Sequence, residues 1–291
     1  MKKEFKISKT LGAIILGGCG LLICQLVSSL FYLAPLPNII ANIFFGITYV
    51  LTSYFFILIL CKKVFNYSFS ECRIKKPSIN LLWLILGIIL PVSVSILLIL
   101  TPGYFINNQK STIEIISKII VSIFTVGFGA GVVEEMFFRG FIMHVLEQRW
   151  GKRVSIIFPS IIFGLLHTMG GMNLSDILML FIAGTSVGIM FSLITYESGT
   201  IWSSAIVHGI WNVVIIGGIL DIGVKHNPDS IYSYIITSKS IILTGGHFGV
   251  EASGIAIIAY IIIISYTLYK MNKKKNIIDN MEKIPDKQSL N

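Results

Sequence analysis

The sequence predicts an all-α polytopic membrane protein of about eight transmembrane helices with both termini in the cytoplasm, and three observations predict it. Of its 291 residues 54% are hydrophobic and only 13% charged, and the mean hydropathy is +0.83, far from a soluble domain, in which roughly 25% of residues are charged. Apolar runs of the ~20 residues that cross a bilayer core recur along the chain. Basic residues flank these runs on one side far more than on the other.

A basic head with Lys2, Lys3, Lys6 and Lys9 precedes the first span, residues 11–34, which is longer than the roughly 7 to 15 residues of a signal-peptide core and is read as retained. Pro35 and Pro37 end it, and span two follows at about 38–60. A loop holding Lys62, Lys63, Arg73, Lys75 and Lys76 leads to span three, about 81–100, with Pro91 as a kink. After a polar connection, span four covers about 115–146, long enough to tilt or project. Spans five to eight follow at about 154–169, 174–194, 200–220 and 248–269. The domain division is a cytoplasmic head at 1–10, one transmembrane domain at 11–270 with a catalytic core at about 115–220, and a basic polar tail at 271–291.

Eight spans place both termini on one side, and on this segmentation eighteen of the 23 Lys and Arg residues fall there. Lys110, Lys118, Lys225 and Lys239 lie opposite, and Arg139 lies within a span. The N-terminal side is therefore cytoplasmic, the expected location is the cell membrane, and the net charge of +9 reflects span-flanking residues, not a nucleic-acid partner. Cys19, Cys24, Cys61 and Cys72 form no CxxC pair and read as small packing residues.

Residues 127–144, GFGAGVVEEMFFRGFIMH, put two carboxylates and an arginine inside an apolar helix. Each ionisable group at membrane depth costs roughly 2.5 to 3.5 kcal/mol on insertion scales, so such groups face a protein interior or a wet cavity and mark function. Glu135 and Arg139 are four residues apart with the acid first, the favourable order for an intrahelical pair. Glu134 points about 100° away and has no local partner. Gly127, Gly129, Ala130 and Gly131 allow close helix approach or room for a ligand. Later spans carry His167 in FGLLH and both His208 and Asn212 in HGIWN, the last two sharing one helix face. Counted from the cytoplasmic helix ends, Glu134, His167, His208 and Asn212 lie 9 to 13 residues deep, about 14 to 20 Å at a rise of 1.5 Å, so all four fit one layer reached from the cytoplasm. Taken singly, an intramembrane histidine is a packing residue and the Glu135–Arg139 pair is structural. The shared depth of the other four favours function. His144, His226 and His247 are left outside the site, and Glu147 and Asp176 read as interfacial.

These motifs resemble those of the CPBP family of intramembrane glutamic proteases, also called Abi and related to the endoproteases that trim CAAX proteins. The family pattern, EExxxR, FxxxH and HxxxN or HxxxD on successive helices, reads here as Glu134-Glu135…Arg139, Phe163…His167 and His208…Asn212, within residues 128–214. The resemblance implies that Glu134 is a general base acting on water held with His167, that His208 and Asn212 stabilise the oxyanion, and that Glu135, Arg139 and Phe163 support them. It implies a hydrophobic peptide or membrane-protein substrate, no cofactor, and a link to peptide maturation or bacteriocin immunity; the oligomeric state is left open. Two other readings remain: a zinc protease using Glu134, His167 and His208 as ligands, although the HExxH arrangement is absent, and a non-catalytic immunity or signalling scaffold. A transporter is disfavoured by the lack of an inverted repeat.

Overall fold

The protein is described by a computed structural model covering residues 7–168 and 171–282; Lys2, Lys3 and Lys6 of the head, Met169, and the tail beyond Glu282 lie outside the described residues. Helices α1 (Ile7–Ser29), α2 (Asn38–Ile59) and α3 (Leu81–Ile99) are followed by strand β1 (Gly103–Asn107). Next comes one long helical run: α4 (Thr112–Ile120), a π-helical stretch Val121–Ala130, α5 (Gly131–Glu135), a second π-helical stretch Met136–Ile142, and α6 (Met143–Leu165). Then follow α7 (Leu174–Ser198), α8 (Ile201–Trp211) continued by a π turn Asn212–Ile216, strands β2 (Leu220–Gly223) and β3 (Tyr232–Ile236), short α9 (Ile241–Thr244) and α10 (Gly254–Glu282).

Among the described residues six helical runs are long and apolar enough to cross a membrane. One of them, Thr112–Leu165, spans 54 residues and turns inside α6 at Gly151, where φ is 79° and ψ 177°, a conformation natural to glycine. Counting its two limbs separately and adding the shorter apolar helix Ile201–Ile216 accommodates the expected eight passages. Large apolar side chains such as Leu26, Phe55, Ile89 and Ile262 point outward, as a lipid environment allows and water does not.

Helix ends are set by local chemistry. Ser111 and Glu114 form a capping box at α4, as Asn173 and Asp176 do at α7, each satisfying N–H groups that a helix start leaves free. Small residues then let main chains meet. A β-carbon on Gly184 of α7 would lie 2.5 Å from the Cα of Gly164 on α6, and one on Gly131 of α5 would lie 2.8 Å from the Cα of Gly209 on α8. Packing of this kind, not hydrophobic burial, holds helices together in lipid.

The structure departs from an all-helical chain in one place. The strands form a three-stranded sheet in the order β1-β3-β2, with β1 antiparallel to β3 (Gly103 opposite Ile236) and β2 parallel to it (Leu220 opposite Tyr232). Span seven therefore stops at Ile216 and not near 220, because Gly217 and Gly218, the latter at φ 73°, break the helix. The last long helix starts at Gly254, not near 248, since Gly245, Gly246 and Gly249 all take positive φ. It also continues past residue 270 to Glu282.

Because the Gly131–Gly209 contact has no room for a side chain, Gly131→Val is expected to lower stability by about 1 to 3 kcal/mol through overpacking. A depressed thermal unfolding midpoint of the detergent-purified protein checks this, while Gly12→Val, with open space around it, is the matched control.

Candidate active site

The two glutamates sit in α5, between the two π-helical stretches, and being adjacent they diverge. Glu135 is completely buried. Its Oε1 accepts from Arg139 Nη1 at 2.8 Å and lies 3.1 Å from His208 Nδ1. Arg139, also buried, donates through Nη2 to the Gly188 carbonyl on α7 at 3.2 Å, and its guanidinium packs over the rings of Phe163 and Phe191 at 4.8 and 5.2 Å. The intrahelical pair read from the sequence thus forms, and it also ties α5 to α7 and α8. A buried ion pair persists only when hydrogen bonds and close contacts offset its desolvation.

His208 is fixed on three sides. Phe191 stacks on its face at 4.6 Å with an interplanar angle of 18°, Glu135 holds Nδ1, and Nε2 lies 3.9 Å from Glu134 Oε2. With the Nδ1 proton directed at Glu135, Nε2 is the nitrogen turned toward Glu134.

His167 follows the C-cap of α6, and its Nδ1 lies 2.7 Å from the Phe163 carbonyl. That carbonyl belongs to the last turn, where a helix leaves acceptors without backbone donors. The four-residue spacing of FGLLH therefore has a physical reason: Nδ1–H caps the helix, and the Nε2 lone pair faces away from it. On α8, Asn212 Nδ2 donates to the Val126 carbonyl at 3.1 Å, which uses one amide proton and leaves the other.

Glu134, His167, His208, Asn212 and Phe163 all line one cavity of about 190 Å³. Glu135 and Arg139 lie behind its wall. Apolar side chains, among them Val126, Leu180, Phe191 and Trp211, make up much of the rest. His144 packs edge-on against Tyr67, with centroids 4.5 Å apart, and does not line the cavity. Glu147, read as interfacial, pairs with Arg73 at 2.6 Å.

Among the lining residues that the sequence did not single out are Phe248 and Glu251, from the segment between β3 and α10. Phe248 stands edge-on to His167 at 6.2 Å, and Glu251 Oε2 accepts from Trp211 Nε1 at 3.3 Å. Asp176, in the first turn of α7, is buried; it accepts from the His247 backbone N–H at 3.0 Å and so anchors this segment to the start of α7. The polar layer is therefore walled in part by the connection opposite the basic loops, and depth counted from the cytoplasmic helix ends gives only part of its setting. A short glycine-rich stretch before an apolar helix carries no periodicity that could have revealed this.

Among the described residues no group of three or more His, Cys, Asp or Glu side chains is arranged to hold a metal ion. The three residues of the zinc reading line one cavity, and the engagement of both Nδ1 atoms leaves Nε2 as the free ring nitrogen of each histidine.

Residues 116–214, about a third of the chain, match the family model described as type II CAAX prenyl endopeptidase Rce1-like. The match contains all three motifs. No curated protein and no solved structure matches the chain at a significant level.

Removing one member of the buried pair strands the other. Arg139→Gln alone is expected to cost about 3 to 5 kcal/mol, and the double variant Glu135→Gln with Arg139→Gln to recover part of that loss; a double-mutant cycle of thermal unfolding measures both.

Proposed function

We propose, from the match of residues 116–214 to the family model of Rce1-like type II CAAX prenyl endopeptidases, that this chain is an intramembrane endopeptidase in which Glu134 activates the attacking water. At the level of the family the activity is that of a CAAX-type membrane protease, which hydrolyses peptide bonds. The observation that carries the finer reading is the convergence of Glu134, His167, His208 and Asn212 on one cavity, with Glu134 the member of the acidic pair that Arg139 does not engage.

Each residue then has a task that its contacts permit. A water held between Glu134 and the lone pair of His167 Nε2 gives a proton to Glu134 as its oxygen attacks the peptide carbonyl carbon. The resulting oxyanion accepts from the remaining amide proton of Asn212 and from His208 Nε2 when that ring carries a second proton, for which Glu134, 3.9 Å away, is the nearest donor. Glu134 or the His208 ring returns the proton to the leaving nitrogen as the C–N bond breaks, and the products are a carboxylic acid and an amine. Glu135 keeps His208 in the required tautomer, the role an orienting carboxylate plays beside a catalytic imidazole. Water and hydrogen bonds are what a hydrocarbon interior lacks, and a polar-lined cavity enclosed by helices supplies both.

The chemistry proposed uses no metal. The substrate proposed is a hydrophobic peptide or a membrane-anchored protein segment at the cell membrane, with peptide maturation or self-immunity as the biological setting.

Cleavage of quenched apolar peptides by detergent-purified protein tests the reading. Glu134→Gln is expected to lower the rate by about 10² to 10⁴, and Asn212→Ala by about 10² to 10³. Both effects are expected to persist with a strong zinc chelator present. Loss of wild-type activity on chelation would turn the assignment to zinc, and a biological effect that survives Glu134→Gln would turn it to a non-catalytic scaffold.

A further inference from the structure

Glu251 is the polar group of the cavity that the hydrolysis leaves without a task. It sits in the short 3₁₀ turn Val250–Ala252 just before α10, and its side chain lines the same cavity as Glu134, His167, His208 and Asn212. Oε2 accepts from Trp211 Nε1. Oε1 has no hydrogen bond among the described residues. The Tyr260 hydroxyl, although close, donates to the backbone carbonyl of Glu251 and not to the carboxylate.

What this carboxylate lacks is a permanently charged counter-ion. Among the described residues no Lys or Arg lines the cavity, and the buried Arg139 is committed to Glu135 and Gly188. The charged or titratable groups facing Glu251 are Glu134 from α5, His167 after α6 and His208 from α8. An unpaired carboxylate in apolar surroundings is costly, and burial accordingly pushes the Glu251 carboxyl above its usual range. A cation arriving with the substrate would remove that cost by forming a charge-assisted hydrogen bond.

We propose that Glu251 forms a subsite for a positively charged side chain, lysine or arginine, of the substrate. The proposal rests on the endopeptidase reading. Because the cavity holds only about 190 Å³, the recognised residue stands within one or two positions of the scissile bond. The same carboxylate disfavours an acidic side chain or a free carboxyl terminus at that place. The preferred substrate is thus an apolar segment interrupted by one basic residue. Since the cation binds the ionised carboxylate, the preference strengthens as pH rises through the elevated Glu251 range and fades below it.

The test reads binding apart from turnover. Full-length protein carrying Glu134→Gln, reconstituted in lipid nanodiscs, is titrated against labelled apolar peptides in which lysine, glutamine or glutamate is walked along an otherwise fixed sequence. Fluorescence anisotropy then gives the affinity ratio between lysine and glutamine peptides at each position. The expected ratio at one position is about ten-fold or more, the range of a charge-assisted hydrogen bond, with the glutamate peptide weakest. Adding Glu251→Gln, which keeps an acceptor for Trp211, is expected to bring the ratio close to one. Equal affinities at every position with Glu251 intact, a preference that survives Glu251→Gln, or no binding of any peptide would overturn the subsite. A missing cleavage activity in the Glu134-intact protein would instead overturn the endopeptidase reading and leave this ratio standing.

Discussion

The buried ion pair between Glu135 and Arg139 is the constraint on which the rest of the site depends. Both side chains are almost wholly removed from solvent, so the partners they have lie inside the helix bundle. Arg139 reaches the Gly188 carbonyl of α7 and Glu135 reaches His208 of α8. Three helices are thereby fixed relative to one another by polar contacts of defined length, which dispersion between apolar side chains alone does not provide. His208 inherits its orientation from this arrangement, and through His208 the position of Glu134 acquires meaning. A buried pair is weak evidence of net stabilisation, but here its geometry sets the register of the helices that carry the proposed site.

The residues proposed as catalytic line the cavity, and the Glu135–Arg139 pair lies behind its wall. Glu134 faces the cavity, while Glu135, its immediate neighbour, serves the scaffold. One residue step on a helix turns a side chain by about 100°, enough to separate the two roles. His167 shows the same economy at the end of α6, where one ring nitrogen satisfies a helix terminus and the other is left for water. Asn212 likewise spends one amide proton on the Val126 carbonyl.

Much of this was legible in the sequence because helices in lipid write their function in spacing. The four-residue interval from Glu135 to Arg139 and that from Phe163 to His167 each correspond to a hydrogen bond in the structure, and the glycines around 127–131 mark a real main-chain contact. Elements without period were not legible. The sheet joins segments far apart in the chain, with Gly103 opposite Ile236, and strands of four or five residues leave no usable alternation. Glu251 and Phe248 were hidden for a related reason, since the glycine turn before α10 reads as the start of an apolar run. The link from Glu135 to His208 is a tertiary contact, and no local rule distinguishes it from a simple pair with Arg139.

The meeting of Gly131 and Gly209 main chains also determines which parts of the molecule can diversify. His208 adjoins that contact and Glu134 lies one turn beyond it, so the reacting groups ride on backbones that touch directly, and their separation is insensitive to side-chain replacement nearby. The opposite wall is of another kind: a glycine turn and a 3₁₀ turn, anchored by hydrogen bonds from the His247 backbone to Asp176, from Trp211 to the Glu251 carboxylate and from Tyr260 to the Glu251 carbonyl. Selection for new preferences of the proposed protease can therefore work on Phe248 and Glu251, the lining residues of this segment, between glycines held at positive φ, while the proposed hydrolytic residues across the cavity stay untouched.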